Sequence, residues 1–156
     1  KIHLGLQKKL FLGNLHAQRD WGHASDYVKG MYLMMQQDTA DDFVLATGRK
    51  ISVRKFVELS FAEVGIKIEW KGKGINEKGI DVESGKTIIE IDKKYFRPAE
   101  VDMLIGDPSK AKKQLGWSAQ ITVEELIKEM VISDLVLFHR DKYLLKGGHK
   151  IMSFNE

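Results

Sequence analysis

The chain has 156 residues, 43% of hydrophobic and 30% of charged types, the balance of a folded soluble domain and not of a disordered segment. It contains no cysteine, which excludes disulfides, thiolate zinc sites and cysteine nucleophiles, and no apolar run near the roughly 20 residues a membrane helix needs. Lys+Arg 25 against Asp+Glu 22 gives a net charge of +3, which permits a phosphate-bearing ligand without demanding nucleic acid. The length suits one domain or one lobe of a larger protein. The first residue is Lys1, with no signal-peptide pattern after it, so the chain is expected to start partway through a longer gene product. The cysteine-free composition suits a reducing cytosol, and a cytoplasmic location is expected.

In chain order, Leu10 to Gly13 reads as a short buried strand ending at a Gly-Asn turn. Asp26 to Gln37 places Tyr27, Val28, Met31, Met34 and Met35 on one face of a helix, a stripe expected to be core. Phe43 to Thr47 reads as a buried strand. Ser52 is a candidate N-cap for a helix with Val53, Phe56, Val57, Phe61 and Val64 inward. Ile66 to Trp70 alternates as a strand does, the glycine-rich Lys71 to Lys86 reads as an exposed loop, and Thr87 to Ile91 is a further strand. Asp107-Pro108 should start a short helix, Ser109 to Leu115, that stops at Gly116. Thr122 to Glu125 is a capping box opening a helix with Val123, Leu126, Ile127, Met130 and Val131 inward. The pattern fades after Arg140, and the tail from Lys146 to Glu156 is expected to be loosely held. Alternating strands and helices indicate an α/β architecture.

Several catalytic patterns are missing. Gly72-Lys73-Gly74 is followed by Glu77 where a dinucleotide fingerprint needs its third glycine, and Gly116 is followed by Trp117, not by the lysine of a P-loop. None of the four tyrosines has a lysine four residues later. The histidines lack zinc-ligand spacing; His16 and His23, seven apart, carry little weight for a metal. Two clusters remain: Arg19-Asp20-Trp21-Gly22-His23, and Tyr95 to Asp102. Each sets an arginine beside aromatic residues in a loop, and a guanidinium fork suits phosphate oxygens. Pro98 fixes the backbone beside Arg97, and Glu100 can accept bonds from a sugar hydroxyl or a base N–H. Plainer roles suit the same residues. Asp20 could pair with Arg19 or cap the helix, Glu100 and Asp102 could pair with Arg97, Trp21 could be packing, and His23 a hydrogen-bonded structural residue. Lys110, Lys112 and Lys113 read as a solvated helix face.

Leu12-Gly13-Asn14, Arg19 to Ala24 (RDWGHA), Asp26-Tyr27-Val28, Phe43 to Gly48 (FVLATG), Ser52-Val53-Arg54 and Tyr95 to Asp102 (YFRPAEVD), in that order, resemble the GDP-mannose 4,6-dehydratase family. Gly106 to Ala111 with Leu115-Gly116-Trp117 is similar to the wider extended short-chain dehydrogenase/reductases that act on nucleotide sugars. His16 departs from the aspartate usual at its position.

The resemblance implies an α/β substrate-binding lobe with the Rossmann half largely missing. Residues 1–140 would be the C-terminal nucleotide-sugar-binding part and 141–156 a weakly matched tail. It implies that Arg19 and Arg97 hold the GDP diphosphate or ribose, that Glu100 helps hold the nucleotide, and that Asn14 and Trp21 lie in the same pocket. No catalytic, cofactor-binding or metal-binding residue is implied in this chain. The intact enzyme would be a lyase with tightly held NADP. It would convert GDP-mannose to GDP-4-dehydro-6-deoxy-mannose, toward GDP-fucose, by taking a hydride from C4, losing water across C5 and C6 and returning the hydride to C6. The partners implied are GDP-mannose, the N-terminal Rossmann half and further copies of the same chain, with no nucleic acid and no membrane; the fragment alone is expected to be inactive. Two alternatives stay open: the lobe of another nucleotide-sugar epimerase or dehydratase, and a non-enzymatic basic nucleotide-binding module.

Overall fold

The computed structural model describes residues 1–151. Its elements in chain order are β1 (Leu10–Leu12), β2 (Gln18–Arg19), α1 (Ala24–Met35), β3 (Ile51–Ser52), α2 (Val53–Ala62), β4 (Ile68–Lys71), a 3-10 turn (Gly74–Asn76), β5 (Lys78–Asp81), β6 (Thr87–Ile91), α3 (Ser109–Leu115) and α4 (Val123–Lys146). The chain forms two compact units. One comprises Lys1–Gly13, Ser60–Phe96 and the chain from Lys128; the other comprises Asn14–Leu59 and Arg97–Ile127.

The first unit is built on a four-stranded sheet of order β1-β6-β5-β4. β1 runs parallel to β6, and β5 is antiparallel to both its neighbours. β6 forms as expected and lies inside the sheet, with the consecutive Ile88 and Ile89 both buried, Ile89 at 0% exposure. The segment expected to be an exposed loop instead supplies β5. Gly79 explains it: a Cβ there would come within 2.9 Å of Ile89 Cδ1, so the glycine leaves room for the core isoleucine while its backbone joins the ladder. Glu90 lies between Lys9 (3.0 Å) and Lys78 (3.5 Å), and the hydrogen bond from Lys9 is the main reason its carboxyl titrates below the usual range. At the end of β1, Gly13 is required by close approach, since a Cβ would meet the Tyr95 carbonyl oxygen at 2.2 Å.

In the second unit β2 and β3 pair antiparallel, and Gln18 also bridges to Met103. Ser52 accepts from Lys55 N at 3.1 Å and so caps α2, as expected. α1 forms, but only part of its apolar stripe is covered: Tyr27 and Met34 are half-buried. Its buried residues are Asp26 and Gly30, while Val28, Met31 and Met35 are exposed, Met35 at 81%. The reason is Trp117, 2% exposed, which donates Nε1–H to the Asp26 carbonyl (2.8 Å) and sits where a Cβ on residue 30 would be only 3.0 Å away. The Asp26 carboxylate accepts from Gln120 N and Ile121 N, both at 2.9 Å. The strand expected at 43–47 is absent: no described residue pairs with it, and only Ala46 is buried.

α3 has the expected span and ends at Gly116 with φ 64°. Its N-cap position is Pro108, one residue later than expected, and Asp107 accepts from Ser109 N at 2.9 Å. The Thr122–Glu125 box closes in both directions, Thr122 N to Glu125 Oε2 at 2.8 Å and Glu125 N to Thr122 Oγ1 at 3.2 Å. Within α4, Ile127 is buried but Met130 is exposed. The helix continues past Arg140, where the apolar pattern fades, and ends at Lys146, where the tail was expected to begin; residues 152–156 lie outside the described residues. No described helix is long and apolar enough to cross a membrane.

Candidate functional site

The site is made by two stretches of chain about 80 residues apart in sequence. Gln18 N donates to Asp102 O (2.8 Å) and Leu104 N donates to Gln18 O (3.1 Å), which lays β2 along residues 102–104. The next side chain, Arg19, then reaches the 100–101 loop. Its Nη2 pairs with Glu100 Oε1 at 2.8 Å, and its Nη1 donates to the carbonyls of Val101 and Gln18, both at 2.8 Å. Glu100 Oε1 also accepts from Val101 N at 3.0 Å. Arg19 and Glu100 therefore form a braced, half-buried pair. The nearness of Arg97 to Glu100 and Asp102 in sequence had pointed to a different pairing.

Arg97 is held differently. Asn14 Oδ1 accepts from Arg97 N and Asn14 Nδ2 donates to Arg97 O, each at 2.8 Å. The Arg97 side chain is exposed, and its guanidinium has no hydrogen-bond or ion-pair partner among the described residues. Four of the five singled-out residues thus belong to two linked pairs, Arg19 with Glu100 and Asn14 with Arg97, and both pairs draw on residues 97–101.

Trp21 is placed elsewhere. Its ring lies 4.3 Å from that of Phe56, its Nε1 donates to Ile51 O at 3.4 Å, and it walls a cavity of about 510 Å³ with Thr47, Lys50, Ile51, Ile121 and Val123. None of Asn14, Arg19, Arg97 or Glu100 lines that cavity. His23 is structural, as its chemistry suggested: it is the N-cap of α1, its Nδ1 accepting from Ser25 N at 3.1 Å. His16 Nε2 lies 3.4 Å from Arg54 Nη2. No group of three His, Asp or Glu among the described residues could hold a metal.

Sequence reasoning missed the work of Asp20, which neither pairs with Arg19 nor caps α1. Its carboxylate accepts from Thr47 N (3.0 Å), Thr47 Oγ1 (2.6 Å) and Gly48 N (3.0 Å), anchoring the backbone that follows Arg19. The only hint was an aspartate facing a later Thr-Gly turn, visible only once the fold joins them. Burial, and then the carboxylates of Asp20 and Asp26, raise the pKa of Tyr27 above that of a free phenol.

Comparison with known proteins agrees with these motifs. The family model described as GDP-mannose 4,6 dehydratase matches residues 1–130. The GDP-mannose 4,6-dehydratase of Sinorhizobium fredii (strain HH103) is 56% identical over 134 residues, which is 86% of this chain and 38% of that protein. The GDP-mannose 4,6-dehydratase of Vibrio cholerae is 47% identical over 157 residues, covering 94% of this chain and 42% of that protein. Among solved structures, RMD from Pseudomonas aeruginosa complexed with NADPH shares the fold with a TM-score of 0.64 at 18% identity, over 85% of this chain and 38% of that one. The chain thus spans about two fifths of the length of its relatives, and its α/β fold is one shared by extended short-chain dehydrogenase/reductases. With both its motifs and its matched residues reaching across most of its length, the chain belongs to the GDP-mannose 4,6-dehydratase family.

Proposed function

We propose that this chain is the nucleotide-sugar-binding part of a GDP-mannose 4,6-dehydratase, a lyase that forms GDP-4-dehydro-6-deoxy-mannose and acts as a homo-oligomer when joined to its Rossmann half. The observation that carries the reading is Arg97. Its main chain is fixed, its guanidinium is open, and it stands in the same loop as the Arg19–Glu100 pair. A fixed backbone with an unpaired fork is what diphosphate oxygens require. Glu100 keeps its second carboxylate oxygen for a sugar or base donor, and Arg19 holds that carboxylate in place. Trp21 packs against Phe56, apart from these residues.

NADP supplies the redox chemistry of the dehydratase when bound. The glycine pair with the spacing nearest to a dinucleotide fingerprint does not fit it: Gly72 and Gly74 lead from β4 into a 3-10 turn and then β5, so no helix N-terminus faces a pyrophosphate there. What this chain contributes is position: holding the diphosphate fixes where the hexose lies relative to groups supplied by the rest of the enzyme. Epimerases that act on UDP-sugars share the fold, but the family match over residues 1–130 favours the GDP-mannose substrate.

The test is Arg97→Ala in the full-length enzyme. A charged hydrogen-bonding contact of this kind is worth roughly ten- to a hundredfold in affinity. GDP-mannose binding, measured by calorimetry, should weaken by that factor while NADP binding is unchanged; an unaltered GDP-mannose dissociation constant overturns the assignment.

A further inference from the structure

We infer that Asn14 is a positioning residue for Arg97 and not a ligand contact, an inference that rests on the diphosphate-binding reading of Arg97. An amide side chain offers one acceptor and one donor in a plane, spaced like those of a peptide group. Asn14 uses both on a single residue, accepting from Arg97 N–H and donating to Arg97 C=O at 2.8 Å each. This is a two-point clamp across 83 positions of sequence. It holds Arg97 from one side as a neighbouring strand would, while Pro98 holds it from the other by disfavouring helical backbone at the preceding residue. With N–H and C=O both tied, the direction of the Cα–Cβ bond is set, and the guanidinium starts from a fixed root. Asn14 itself is half-buried, whereas Arg97 is exposed.

No other residue type supplies both bonds at this length. Aspartate lacks the donor, and glutamine sets its amide one methylene too far. Loss of the clamp would leave Arg97 present but loosely aimed, at a cost paid only when substrate binds.

A double-mutant cycle in the full-length enzyme tests this, with Asn14→Ala, Arg97→Ala and the double variant compared for KM and kcat toward GDP-mannose. Asn14→Ala is expected to raise KM about tenfold with kcat little changed, and to add nothing further once Arg97 is alanine. An equal effect of Asn14→Ala in both backgrounds overturns the inference, because a direct contact or a general loss of structure would act whether or not Arg97 is there. Unchanged KM in Asn14→Ala, with Arg97→Ala still impaired, overturns it while leaving the Arg97 reading intact. Unchanged KM in Arg97→Ala overturns both. Should Asn14→Ala not fold, Asn14→Ser, whose single short hydroxyl cannot make both bonds, carries the same cycle with the same outcomes.

Discussion

Arg19 and Arg97 carry the same fork in opposite circumstances, one bonded to three acceptors and the other open. Both were visible in sequence as loop arginines beside aromatic residues, and so was Glu100. Their partners were not visible, because pairing is decided by the approach of Gln18 to residues 102–104, an event some 80 positions long-range. Local nearness suggested Arg97 with Glu100; the ladder bonds instead put Arg19 there. Asp20 shows the same limit and gives a prediction at this scale. Its three donors all point at carboxylate oxygens, two of them at Oδ1. Asp20→Asn turns one acceptor into a donor facing N–H groups and should lower the unfolding free energy by about 2 kcal/mol in a urea titration. A change within error would mean the Thr47–Gly48 turn holds itself.

Helix ends were the most legible elements. The Thr122–Glu125 box, the stop at Gly116 and the Ser52 cap all depend on bonds three to five residues long, so their sequence signals are complete. The apolar stripe of α1 misled, because which face is buried depends on Trp117, far along the chain, closing over Gly30 and Asp26. Phe43 to Thr47 misled for a related reason: a strand exists only with a partner for its ladder. The capping box also predicts a pH dependence. Bonds from the Thr122 N–H and hydroxyl hold the Glu125 carboxyl below the usual glutamate range. The folded chain therefore binds fewer protons than the unfolded chain between the two values. The contribution is full above the ordinary glutamate pKa and is lost as pH falls through the depressed one. Thr122→Ala should cost about 1 kcal/mol at neutral pH and flatten the acid limb of the stability profile. An acid limb of unchanged steepness would show that Glu125 does not report on the cap.

For the molecule as a whole, the α/β class and the family could be read from the motifs, and the chain spans about two fifths of the length of its relatives. The purified 156-residue chain should give no GDP-4-dehydro-6-deoxy-mannose from GDP-mannose and NADP by mass spectrometry. Turnover would place catalytic groups in this chain that the proposal assigns elsewhere. What the sequence concealed at this scale was β5, whose charged and glycine-rich residues look like a loop until β6 supplies a ladder and Ile89 needs the space over Gly79.

The chain's tryptophans fall on both sides of its division into two units. Trp70 lies on β4 in the sheet unit, while Trp21 and the fully enclosed Trp117 lie in the other. An enclosed indole fluoresces at shorter wavelength than a wetted one. Replacing Trp70 by phenylalanine leaves emission from the Trp117 unit alone, and replacing Trp21 and Trp117 leaves the sheet unit alone. The chain thus carries its own optical labels, and whether its two halves melt together or in turn can be read from the colour of its light.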